Sequence, residues 1–153
     1  SLRSDLSLTT ESSATADDVR LATTRDHARI SFLFAEAFPE TGHLVPDLAT
    51  REREGYRHYV LPGSGSGSGT LVGAAAVVGN GRRRWLKLIG ITNKQRAKGH
   101  GQRLLAGIIR HEAALGAGQL GLEVLGDNAP AIGLYLATGF KRQFTATIMT
   151  APL

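Results

Sequence analysis

Apolar residues recur along this chain with two different spacings, and the spacing assigns the elements. Ile30, Leu33, Phe34, Ala37 and Phe38 stand at i, i+3, i+4, i+7 and i+8, the period of one helix face. Thr23 offers that helix a start, Asp26 suits its electropositive first turn, and Pro39 closes it. A second helix is predicted over Gly101–Leu115, where Leu104, Leu105, Ile108, Ile109 and Leu115 give a broad apolar face that Gly116 or Gly118 terminates. A third is capped by Asp127 or Asn128, carries Pro130 in its first turn and ends at Gly139. Residues 40–55 have no clean period, and a short helix fits around Asp47–Glu54. The remaining apolar runs lack the helical period and are too short for it. They read as strands at Val19–Leu21, Tyr56–Leu61, Leu71–Val78, Trp85–Ile91, Gln119–Leu125 and Phe144–Met149, with Asn80-Gly81 as a turn.

The resulting order is β-α-(α)-β-β-β-α-β-α-β. Closely joined strands at the front favour antiparallel pairing, and strand–helix–strand crossovers at the back favour parallel pairing. The fold class is therefore α/β, an α+β mixed sheet flanked by helices. With 153 residues and a prior of roughly 150 per domain, one domain is expected over 19–153. A flexible arm rich in Ser, Thr, Ala and Asp is expected over 1–18. Residues 63–69 alternate strictly between Gly and Ser, a composition that encodes flexibility and nothing else. The tract reads equally as a naturally degenerate hairpin loop and as an engineered replacement.

Composition narrows the chemistry. The absence of cysteine rules out disulfides, thiolate-bound metals and a thiol nucleophile, and is compatible with a reducing cytoplasm, the expected location. The five histidines, His27, His43, His58, His100 and His111, are scattered with no i, i+4 pair, so no metal site is expected. No apolar run approaches the roughly 20 residues of a membrane span, and no basic stretch followed by an apolar core suggests a signal peptide.

The net charge of +5 is unevenly spread. Residues 1–54 hold ten acids and six bases, whereas residues 55–111 hold ten bases and no acid. A basic middle third calls for an anionic partner: a phosphate-bearing small molecule, nucleic acid or an acidic surface. Arg82, Arg83 and Arg84 beside Gly81 read equally as a solubilising face. Nucleic acid is disfavoured, because aromatics are 6% of the chain and Trp85 is the lone aromatic of the basic run after Tyr59, leaving no stacking platform.

Chemistry concentrates in Leu88–Gly101. An apolar strand ends at Ile91, a polar linker follows, and Arg96-Ala97-Lys98-Gly99-His100-Gly101 opens a helix. Two glycines at a helix start leave N–H groups accessible to an anion, the helix dipole adds favourable potential, and Arg96 and Lys98 add full charge. The segment reads as a phosphate cradle, against a plain basic helix cap. It is neither a Walker loop nor a dinucleotide fingerprint. Farther on stand Leu122-Glu123-Val124, Asn128, Leu134-Tyr135 and Gly139-Phe140.

The two segments together resemble the GNAT superfamily of N-acetyltransferases, in element order from Val19 onward and in motif detail over Leu86–Phe140. Within it, the second segment and Ile148-Met149 look most like the N-terminal alanine acetylases of ribosomal proteins. The resemblance implies acetyl-coenzyme A as cosubstrate and direct acetyl transfer to a primary amine of a peptide N-terminus or a small molecule. It implies that Ile91 and Asn93 pair with the pantetheine arm, and that N–H groups of Arg96, Ala97, Lys98, Gly99, His100, Gly101 and Gln102 hold the pyrophosphate. It also implies that strands Leu86–Ile91 and Gln119–Leu125 splay apart where the thioester enters, with Asn128 flanking the cofactor.

Tyr135 is the candidate acid toward the departing thiolate, and Glu123 the candidate base. The plain alternatives are that Tyr135 seals helix to sheet and that Glu123 is a surface residue or binds a cationic acceptor. Asn128 also suits a helix cap. Glu36 and Glu40 are further acids that the first helix could bring to the site. Where the family commonly has an acid on the strand before the cradle, this chain has Lys87. Only Lys141–Leu153 follows Phe140, enough for one long strand or a very tight hairpin. That short ending favours the competing reading, a catalytically silent module that binds coenzyme A or a protein. The family also includes homodimers paired through sheet edges or the last strand.

Overall fold

The computed structural model describes residues 18–39, 47–63, 70–92, 99–123, 129–143 and 148–153. The chain runs through β1 (Arg20–Leu21), a 3-10 turn (Thr24–Asp26), α1 (His27–Ala37), α2 (Leu48–Arg53), β2 (Tyr56–Pro62), β3 (Leu71–Val78) and β4 (Arg83–Ile91). It continues through α3 (His100–Ala114), β5 (Gln119–Glu123), α4 (Ala129–Ala137), β6 (Lys141–Gln143) and β7 (Ile148–Pro152). Among the described residues seven strands form one sheet in the order β1-β2-β3-β4-β5-β7-β6. Every neighbouring pair is antiparallel except β4 and β5, which the α3 crossover makes parallel.

The helix starts follow local chemistry. Asp26 accepts from the Thr23 N–H at 2.7 Å and from Arg20 at 2.7 Å, and the Arg20 hydrogen bond leads in holding its carboxyl down at about 2. Asp47 caps α2 by accepting from the Thr50 N–H at 3.1 Å. Phe38 ends α1 at φ −128°, ψ 74°, since the residue before proline is driven out of the helical region.

One expectation needs correction. The last strand is not Phe144–Met149: β7 spans Ile148–Pro152 and pairs with the extra strand β6, so the tight-hairpin alternative holds and residues 144–147 lie outside the described set. β7 is placed by β5, against which Met149 and Ala151 bury their side chains while Thr150 stays half-exposed. The β3–β4 turn falls at Asn80-Gly81 as the sequence indicates, with Gly79 taking a positive φ of 108°.

Alternation along the strands divides the core between the two faces of the sheet. Tyr59, Leu61, Ala75 and Val77 pack with Leu104, Leu105 and Ile108 of α3. Val60 and Ala74 pack with Ile30, Leu33 and Phe34 of α1 and Leu48 of α2.

The basic middle third is also partly accounted for within the fold. Glu112 on α3 is 0% exposed and accepts from Arg57 at 2.7 and 2.8 Å, from Arg84 at 2.9 Å and from the Tyr59 hydroxyl. Burial alone would push its carboxyl up, but the bonds from Arg57, Tyr59 and Arg84 outweigh burial and hold it below the usual carboxylate range. Arg84 is therefore no solubilising residue; Arg82 and Arg83 remain exposed. Arg103 pairs with Asp18 at 2.8 Å.

Candidate active site

The parallel ladder between β4 and β5 is short. It runs for three pairs, Arg83 with Gln119, Arg84 with Leu120 and Trp85 with Gly121. Beyond Gly121, β5 pairs with β7 alone among the described residues, while β4 continues along β3 to Ile91. The Trp85 ring lies over Gly121, where an added Cβ would stand 2.6 Å from it. A glycine at that position lets the indole sit at the fork.

A cleft of about 280 Å³ opens beyond the fork, lined on β4 by Lys87, Leu88, Ile89, Gly90 and Ile91, and on the other side by Glu123, Ala131, Leu134 and Tyr135. Gly101 from α3 and Phe38 from the end of α1 complete it. The fold thus brings Ile91, Gly101, Glu123 and Tyr135, all singled out in the sequence, to one cleft.

Tyr135 is 7% exposed and tilts against Phe140 with ring centroids 5.7 Å apart. Burial pushes its phenol up to about 12, so it stays protonated throughout the neutral range. It both lines the cleft and packs helix to sheet. Glu123 is exposed at the end of β5.

Gly99 is the N-cap of α3 at φ 79°, ψ 5°, a left-handed conformation natural to glycine. Among the described residues nothing stands within 4 Å of a Cβ at Gly99, whereas one at Gly101 would stand 3.3 Å from the Leu134 side chain. The first turn of α3 contains no acid. Gly99, His100, Gly101 and Gln102 therefore form a helix start that is electrostatically receptive to an anion, and Gly101 in it lines the cleft. Asn93, Arg96, Ala97, Lys98 and Asn128 lie outside the described residues, as does Glu40.

Glu36 does not join the site. It lines a separate groove of about 410 Å³ with Ala28, Arg29, Phe32, Leu33, Thr70, Leu71 and Thr92. Phe38 was read from the sequence only as the last position of an apolar helix face. Nothing in its period signals that its ring reaches a cleft formed by β4 and α4. Lys87 was noted only as a missing acid, and it too lines the cleft.

The acetyltransferase (GNAT) family model matches residues 23–140 of the chain. The chain belongs to the GNAT acetyltransferase family. The ribosomal-protein-S18-alanine N-acetyltransferase of Escherichia coli superimposes with a TM-score of 0.72 at 23% identity, covering 88% of this chain and 92% of that one. The PaiA N-acetyltransferase of Thermoplasma acidophilum, solved with coenzyme A, gives 0.73 at 15% identity, covering 88% and 98%. The NatC complex bound to Gag peptide and coenzyme A gives 0.67 at 15% identity, covering 88% and 97%. At these identities the likeness is one of fold, and the GNAT chain has no significant match among curated protein sequences. No helix among its described residues is long and apolar enough to cross a membrane.

Proposed function

We propose that this GNAT protein is an acetyl-coenzyme A-dependent N-acetyltransferase that transfers acetyl directly to a primary amine in a ternary complex. The observation that carries the reading is the fork after Trp85 and Gly121, with Glu123 and Tyr135 on one wall and the open start of α3 beside it. The site fits the cosubstrate family membership implies. A β4 edge that beyond Trp85 has no β5 partner among the described residues suits a ligand whose amides add like a strand, and Gly101 leaves room that a side chain would take. Ile91, Asn93, Arg96, Ala97, Lys98, Gly99, His100, Gly101, Gln102 and Asn128 are the residues we assign to hold it. When bound, acetyl-coenzyme A supplies an activated acetyl group and a thiolate leaving group.

An α-amine of pKa about 8, or a lysine-type amine of about 10.4, enters largely protonated near neutral pH. Glu123 holds the ammonium and removes its proton, directly or through one water, before attack. Tyr135 donates its phenolic hydrogen toward the leaving sulfur. With the phenol at about 12, full transfer to a thiolate of ordinary pKa about 8.5 is uphill by about 5 kcal/mol. The apolar walls reduce that gap by raising the thiolate's pKa more than an exposed site would. Tyr135 therefore acts best as a hydrogen-bond donor that completes proton transfer as the sulfur departs.

Isothermal titration with acetyl-coenzyme A tests the cradle: binding by the parent protein and its loss in Gly101→Leu are expected. A thiol-release assay on an amine panel tests the chemistry. Tyr135→Phe and Glu123→Gln should each lower kcat by about 100-fold or more while leaving acetyl-coenzyme A affinity within about twofold. No binding by the parent overturns the reading; binding without turnover on any amine favours a silent coenzyme A-binding module.

A further inference from the structure

Lys87 occupies an irregular position in an otherwise regular strand. Ala76 is opposite Leu88 and Val77 is opposite Leu86, so Lys87 is the extra residue of a β-bulge between β3 and β4. A bulge twists the strand and re-aims the side chain it carries. The exposed Lys87 lines the same cleft as Glu123 and Tyr135. Among the described residues neither Lys87 nor Glu123 forms an ion pair, with the other or with any third side chain. Among the described residues the cleft therefore presents one charge of each sign, unpaired with each other, with Phe38, Leu88 and Leu134 as apolar walls.

That arrangement discriminates among amines. A bare ammonium drawn to Glu123 meets repulsion from Lys87 in a cleft where apolar walls weaken solvent screening. An ammonium that carries a carboxylate close by is matched at both charges. The cleft volume of about 280 Å³ must also hold the thioester end, so the acceptor is small or enters by one end. Resting on the acetyltransferase reading above, we propose that the acceptor is an amine with a neighbouring carboxylate, and that Lys87 binds this carboxylate while Glu123 receives the amine. Two sources share that chemistry: a free amino acid, and a peptide N-terminus followed by an acidic residue.

The test uses the full chain saturated with acetyl-coenzyme A and follows thiol release. One arm compares alanine, methionine and glutamate with their carboxamides. The other compares C-terminally amidated Ala-Asp and Ala-Glu peptides with Ala-Asn and Ala-Gln. The carboxylate form should be favoured in kcat/KM by about tenfold or more in one arm, and that arm identifies the source. Lys87→Ala should remove the preference by raising KM for the carboxylate form, and Lys87→Arg should retain it. Equal kcat/KM for both forms in both arms overturns the proposal, as does a preference that survives in Lys87→Ala. Heat from acetyl-coenzyme A binding separates the two levels. Without it the acetyltransferase reading itself fails. With it, absence of turnover on every probe, and of heat when alanine or the Ala-Glu peptide is added to coenzyme A-saturated protein, overturns the Lys87 assignment alone.

Discussion

Replacing Glu112 by Gln tests how the far end of the fold supports the cleft. The carboxylate is 0% exposed and accepts from two arginines and a tyrosine, tying the last turns of α3 to β2 and the first residues of β4. Gln keeps the shape but removes the charge and points an N–H₂ group at donors. Removing one partner of a buried ion pair costs about 3–5 kcal/mol. The lower figure applies here. The Arg84 guanidinium keeps carbonyl acceptors at Gly81, 2.6 Å away, and Leu115, 3.0 Å away, and the Arg57 side chain, 20% exposed, can turn toward water.

A loss of about 3 kcal/mol corresponds to a fall in Tm of about 6–12 °C for a chain of this size. Urea unfolding followed by tryptophan fluorescence, with the midpoint shifted and the slope unchanged, is the direct assay. Acid adds a second readout. Because Glu112 is held below the ordinary carboxylate range, its folded form takes up a proton later than the unfolded chain does. Its contribution is complete above the unfolded-glutamate value of about 4.3 and is lost as pH falls below it. Glu112→Gln should therefore flatten part of the acid limb of the stability profile. Replacing the most buried pair, Glu112→Leu with Arg84→Met, should recover part of the loss, since the Arg57 guanidinium can turn toward water while the buried Tyr59 hydroxyl stays without its acceptor. A loss below about 1 kcal/mol for Glu112→Gln, or an unaltered acid limb, would refute the reasoning.

Two further outcomes are expected. Gly121→Val places a branched side chain where a Cβ alone stands 2.6 Å from the Trp85 ring, so it should destabilise by about 1–3 kcal/mol and shift indole fluorescence as the ring is displaced from the fork. Asp26, held at about 2 mainly by Arg20, stabilises the fold above the unfolded-aspartate value of about 3.9 and loses that contribution as pH falls toward 2. Arg20→Ala should reduce the acid sensitivity between those limits, as read by thermal unfolding at stepped pH.

Much of the candidate site was legible in the sequence because it is built from local signals. Gly99 and Gly101 mark an open helix start by their backbone properties alone, and the helix face from Leu104 to Ile109 follows from periodicity. Glu123 and Tyr135 were singled out by the resemblance to the GNAT superfamily, and the fold brings them to one cleft. Lys87 was legible as a residue but not as a binding group. Its aim depends on a bulge, which arises from how β3 registers against β4. Glu112 was illegible for a related reason. Its partners are 28 to 55 residues away in sequence, so charge counting left Arg57 to an external anion and Arg84 to that or a solubilising face, whereas the fold itself supplies the anion.

The sequence by itself determined the type and order of nearly every element, because hydrophobic period, caps and breakers act within a few residues. Tertiary structure decided which strands meet and for how long. Among the described residues the parallel ladder runs for only three pairs, although on their other edges β5 goes on pairing with β7 to Glu123 and β4 with β3 to Ile91. The cleft exists only as a consequence of that divergence. No local pattern encodes it, since it depends on the balance of pairings between segments that are far apart in the chain.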